Sequence, residues 1–151
     1  SRQVFKGCSQ LGYVALPEGV TEIGNDAFNA CHSLVTVKLP STVTALKWAC
    51  FISCRGLAYI EIPDSVATIE HYVFSYCPNL KRVTIGKGIE TLWGGLDLSL
   101  GLKELIFRGD APKAPANIDK CKEATIYRQP GAKGWGSTWG GRPVRLLNEK
   151  P

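Results

Sequence analysis

Phenylalanine recurs every 23 residues along this chain, at Phe5, Phe28, Phe51 and Phe74. Cys8, Cys31, Cys54 and Cys77 keep the same step, and so do Leu11, Leu34, Leu57 and Leu80. Val14, Val37, Ile60 and Val83 follow in register, then Leu16, Leu39, Ile62 and Ile85. Val20, Val43, Val66 and Ile89 come next, then Ile23, Leu46, Ile69 and Leu92. A fixed apolar period of this length marks a stack of structural repeats, each covered only by its neighbours. A fifth unit runs one residue short through Leu96, Ser99, Leu102, Leu105 and Phe107. Its Phe has become Leu and its Cys has become Ser, as suits a repeat near the end of an array.

Within each unit a short segment alternates. In Val35-Thr36-Val37-Lys38-Leu39, Val37 and Leu39 face one way and Thr36 and Lys38 the other, the signature of a half-buried strand. Pro40, with Pro17 and Pro63 at the same position, ends the strand because proline has no N–H for a ladder. Val43 and Leu46 then carry the chain round the coil with inward side chains. The stretch Gly24 to Phe28 reads as a helical turn, with Asn25 or Asp26 as its N-cap.

Each unit therefore reads F-x-x-C-x-x-L-x-x-V-x-I-P-x-x-V-x-x-I. The segments "LVTVKLPSTVTALKWACFISC" and "LAYIEIPDSVATIEHYVFSYC" resemble the BspA-like leucine-rich repeats of bacterial surface proteins, over roughly Phe5 to Phe107. The resemblance implies a right-handed α/β solenoid of about five 22–23-residue units, with a parallel sheet on one face and a C-terminal cap. Residues 1–110 would form the solenoid and 111–151 the capping segment, together one structural domain.

After Phe107 the pattern breaks, and Pro112 and Pro115 end the regular coils. "EATIYR", Glu123 to Arg128, reads as a strand able to pair onto the last coil. The following stretch resembles a "YxxPGxxGWGxTxGGRP" ending of bacterial repeat proteins, matched from Tyr127 to Pro143. Its glycines suit tight turns, and Trp135 and Trp139 are large enough to close the end of a stack. The alternative for these two tryptophans is an aromatic platform for a sugar or peptide.

The cysteines and histidines are packing residues before they are a site. The ladder cysteines are expected to point inward as small hydrophobes. Cys50 replaces Ala27 and Val73 of other units and belongs to the core, whereas Cys121 is expected outside the ladder. Successive cysteines are 23, 19, 4, 23 and 44 residues apart, without the set of close C-x-x-C-like pairs that zinc sites use. His32 and His71 fall at variable positions with no partner at a recurring spacing, so neither catalysis, a metal nor a cofactor is expected.

A net charge of +5 without a run of five like charges does not suggest a nucleic-acid partner. No run of eighteen apolar residues exists to insert in a membrane. The opening Ser1-Arg2-Gln3 reads as the interior of a longer precursor.

The outward strand face remains. One column is Tyr13, Thr36, Tyr59, Arg82 and Glu104; the next is Ala15, Lys38, Glu61, Thr84 and Ile106. It is either a solvated face of cross-strand pairs, Lys38 with Glu61 and Arg82 with Glu104, or a partner-binding face using Tyr and Arg. Trp48 and Trp93 fall at variable turns and are expected exposed. Taken with the resemblance, the expectation is a non-catalytic module of an extracellular or cell-surface protein, binding a protein partner or mediating adhesion. A glycan-binding module through Trp135 and Trp139, and a spacer with no ligand, are the alternatives.

Overall fold

The computed structural model describes residues 3–96, 98–113, 118 and 120–150. Pro115 lies outside the described residues, as do Ser1 and Arg2. The chain is a β-solenoid of about five turns. Strands β1 (Tyr13–Ala15), β3 (Thr36–Lys38), β5 (Tyr59–Ile62), β7 (Arg82–Ile85), β9 (Glu104–Phe107) and β10 (Thr125–Arg128) follow one another up the stack. Their pairings are parallel and in the register of the repeat, with Tyr59 beside Arg82 and Arg82 beside Glu104. This strand face is not one sheet: β1 and β3 form a pair separate from the sheet that begins at β5.

A second parallel ladder runs along another side of the coil. Two-residue strands β2 (Glu22–Ile23), β4 (Ala45–Leu46), β6 (Thr68–Ile69) and β8 (Thr91–Leu92) pair in sequence order. The expected helical turn is absent, and the reason lies in where its N–H groups point. Phe5, Phe28, Phe51 and Phe74 each donate their N–H to the following coil, at Ala27, Cys50, Val73 and Gly95. A helix would turn these donors inward along its own axis; here the convex side forms a third inter-coil ladder. Asp26 does not cap a helix but accepts a hydrogen bond from the Asn29 amide at 2.7 Å.

That convex ladder requires two left-handed residues per coil. They fall at Gln3, Asp26, Ala49, Tyr72 and Gly94, and four residues after the first four, at Gly7, Ala30, Ser53 and Tyr76. An L-residue there costs about 1–2 kcal/mol. Glycine removes most of that cost and adds about 0.5–1 kcal/mol of unfolded-state entropy. Ala30→Gly is therefore expected to stabilise the protein by about 0.5–1 kcal/mol, read as a higher denaturant midpoint; a lower midpoint would contradict the ladder geometry.

The core is a set of columns along the stack axis. The Phe5–Phe28, Phe28–Phe51 and Phe51–Phe74 rings stack at 5.0, 5.1 and 5.7 Å within 15° of parallel. Beside them runs a thiol column. Cys31, Cys54 and Cys77 donate to the Phe5, Phe28 and Phe51 carbonyls at 3.1, 3.1 and 3.2 Å. Ser99 makes the same bond to Phe74, one coil on. Each coil thus stitches its thiol or hydroxyl to the backbone of the coil before.

Two cysteine expectations are corrected. Cys8 is exposed, because the first coil has no preceding coil among the described residues. Cys121 is not outside the ladder. It is buried, it donates to Leu96 and Ser99 carbonyls at 3.4 and 3.3 Å, and with Ile118, Ala124 and Ile126 it carries the core one rung further. The step from Ser99 to Cys121 is 22 residues, the same shortened step as Cys77 to Ser99.

At the C-terminal end, β12 (Arg142–Leu146) pairs in parallel with β10, and β11 (Thr138–Trp139) pairs antiparallel with β12. Gly140 and Gly141, at φ +55° and +77°, make the turn between them. Arg142 reaches back to donate to the Ala124 carbonyl at 3.1 Å and to the Lys122 carbonyl.

Candidate binding face

The strand face carries the residues singled out from sequence, and the structure divides them. Tyr13, Thr36, Lys38, Tyr59 and Glu61 line one groove of about 530 Å³. It lies where the sheet is interrupted between β3 and β5, so its floor is the seam between two coils. Pro63 and Asp64 close one side. Tyr13 and Tyr59 stand half-exposed over it. Asp64 is held by its own job, accepting the Lys87 N–H at 2.9 Å in the turn of the next coil.

Arg108 also lines this groove, although sequence reasoning did not single it out. It follows Phe107 at the end of β9 and reaches back two coils to Glu61, at 3.7 Å. Among the described residues Glu61 is paired with Arg108 rather than with Lys38, its expected partner. Both partners are largely solvated, so the pair contributes little to stability and leaves both charges available to a ligand. Its sequence signal was weak: one arginine just past the last position of the repeat.

The other half of the face is occupied by the chain itself. Arg82 and Glu104 do pair, at 2.5 Å. Lys150, just after a short 3-10 helix over Leu147–Glu149, comes back to bind Glu104 at 2.8 Å and lies 5.7 Å from the Tyr127 ring centre. Partial burial pushes the Glu104 carboxyl up, but hydrogen bonds donated by Lys150 and Arg82, and their positive charges, outweigh it and hold the group below its usual range. Thr84 and Ile106, expected to face solvent, are buried, as is Tyr127 beside Ile106 in the register. Position in the repeat set their outward direction; beside them the returning tail brings Lys150 onto Glu104 and towards the Tyr127 ring.

Trp135 and Trp139 do not present two open rings. Trp139 is 8% exposed. Its ring meets Phe107 edge-on at 5.2 Å, Trp135 lies 4.8 Å from the same ring, and the indole N–H of Trp135 donates to the Gly109 carbonyl at 3.3 Å.

Residues 1–108 match the family model described as the BspA type leucine rich repeat region, in six copies. The chain belongs to the BspA-type leucine-rich repeat family. Among solved structures, this BspA-type chain is similar to the leucine-rich repeat protein TpLRR of T. pallidum, with 26% identity and a TM-score of 0.72, covering 83% of this chain and 60% of that one. It is also similar in fold to the pneumococcal vaccine antigen PcpA, with 20% identity and a TM-score of 0.72 over 90% of this chain and 36% of that one. A leucine-rich repeat protein from Bacteroides ovatus matches at 22% identity and a TM-score of 0.51, over 85% of this chain and 42% of that one. The chain thus spans less than two thirds of the length of each of these structures. No match was found among curated proteins.

Proposed function

We propose that this chain is a non-catalytic protein-binding module of a bacterial surface or secreted protein, and that the groove over β1, β3 and β5 receives the partner. The observation that carries this reading is the groove itself: two half-exposed tyrosines, Lys38 and the Glu61–Arg108 pair converge on one seam of the strand face. Tyr and Arg are among the side chains that most often anchor protein interfaces, Tyr because it buries large area at low entropy cost and Arg because its planar guanidinium makes several hydrogen bonds at once. The remainder of the face is held by the tail through Lys150, so the segment 111–151 acts in this proposal as cap and boundary of the site. Adhesion to a host surface is the role such a module would serve.

The test is capture of partners from host-surface extracts by the folded protein, followed by affinity measurement on the partner identified. Tyr59→Ala is expected to weaken that affinity by about 30-fold, the effect of losing an interface anchor of about 2 kcal/mol. Arg108→Ala should weaken it less and reduce its salt dependence. If Tyr13→Ala with Tyr59→Ala captures the same partners with unchanged affinity, the groove is not the site.

A further inference from the structure

Several large apolar side chains are exposed away from the strand face, in the bends of the coils. Trp48, Tyr72 and Trp93 are exposed there, while Tyr76 and Leu100 are exposed together beside Arg55 and Pro78. Four rings run across three successive coils. Trp48 meets Tyr72 at 6.1 Å, Tyr72 meets His71 at 6.1 Å, and His71 meets Trp93 at 6.0 Å. A contiguous exposed aromatic row on a folded protein marks an interaction surface.

Three features of the bend 71–76 show that stability does not account for it. Tyr72 and Tyr76 hold φ of +62° and +59°; the other coils place Gln, Asp, Ala or Gly at the first of these positions and Gly, Ala or Ser at the second. Between them the Ser75 hydroxyl is buried with no hydrogen-bond partner among the described residues. Bulky left-handed residues and orphaned polar groups each weaken a fold and gather where a site needs them.

The chemistry of the row points to its occupant. The ring planes meet at 80°, 43° and 34°, which makes facets and clefts rather than the flat table a pyranose stacks on. Beside Trp48, two carboxylates share one ammonium: Lys47 lies 3.4 Å from Glu70 and 3.8 Å from Glu22. Glu70 also accepts the Trp48 N–H at 2.9 Å, which fixes a negative charge next to the rings. Aromatic faces with a neighbouring carboxylate attract cations, tryptophan most strongly. We propose that this convex row is a second interaction surface, and that it takes an arginine- or lysine-bearing segment of a partner protein.

The experiment titrates the protein with a synthetic peptide of Arg-Gly-Ser repeats, a matched Glu-Gly-Ser peptide and a cello-oligosaccharide, read by tryptophan fluorescence. The chain carries +5 overall, so bulk charge opposes the arginine peptide and favours the glutamate one. The arginine peptide is nevertheless expected to bind at least about tenfold tighter. Trp48→Ala and Tyr72→Gly should each lose about tenfold in affinity, while Tyr72→Gly raises Tm by about 2–4 °C through relief of the backbone. Tyr59→Ala should leave this binding unchanged, which separates it from the strand-face groove. Trp48 is exposed, so its truncation keeps the fold and decides the matter should Tyr72→Gly fail to fold. Equal binding of both peptides, binding of the oligosaccharide alone, self-association in place of peptide binding, or unchanged affinity in Trp48→Ala overturns the proposal.

Discussion

Phe51→Ala is expected to remove about 3–5 kcal/mol of stability, the range for truncating a fully buried aromatic ring. Phe51 has no exposed surface and is stacked on both sides, at 5.1 Å from Phe28 and 5.7 Å from Phe74. Deleting the ring therefore opens a cavity that weakens two coil interfaces at once. In a solenoid each coil touches only its neighbours, so nothing elsewhere in the molecule compensates. Phe5→Ala makes the contrast. Phe5 is only partly buried and stacks on one side, at 5.0 Å from Phe28. Its loss should cost less than half as much. Denaturant midpoints of the two variants measure this directly. Equal losses would mean that the column does not bear the load assigned to it.

Stability is also expected to fall steeply above about pH 9. Burial pushes the Cys77 thiol from 9.0 up to about 12. Burial, with the neighbouring Cys77 and Cys31 thiols adding to it, raises Cys54. Burial likewise carries Cys50 well above its usual value. A thiol whose folded pKa is raised contributes fully below its unfolded pKa, and that contribution is lost as pH rises toward the folded value. Between pH 9 and 12 the unfolded chain releases these protons while the folded one keeps them. Each thiol then costs up to about 1.4 kcal/mol per pH unit. Ser99 shows that a hydroxyl fits the same slot and makes the same bond. Cys54→Ser with Cys77→Ser should therefore keep the fold and flatten the alkaline slope. Thermal melts from pH 7 to 11 test this; an unchanged slope in the double variant would assign the alkaline loss to other groups.

The core was legible because its chemistry repeats. Phe28, Cys31, Leu34, Val37 and Leu39 announce themselves only when set beside their equivalents one coil away, and burial follows that alignment. Cys121 was missed because the irregular stretch after Phe107 hid a step of 22 residues that the preceding coil had already used. The convex turn was read as helical because a local pattern of Asn, Asp and Ala resembles a helix start; the competing inter-coil ladder is non-local and leaves no local signature. Cys8 shows the same limit from the other side. Its position in the repeat is that of a buried rung, yet its exposure depends on whether a coil lies in front of it.

The candidate site divides along the same line. Alternation within each strand set which residues leave the core, and Tyr13, Thr36, Lys38, Tyr59 and Glu61 from the two columns line one groove. The sequence by itself determined the repeat, its register, the columns of the core and the family, because each of these is a short-range pattern copied at a fixed step. Only the tertiary structure decided that Arg108 reaches back to Glu61, that the tail brings Lys150 onto Glu104, that Trp139 packs on Phe107, and that four rings meet on the convex side. Those contacts join residues from different coils through side-chain reach and chain reversal, quantities a one-dimensional period does not contain.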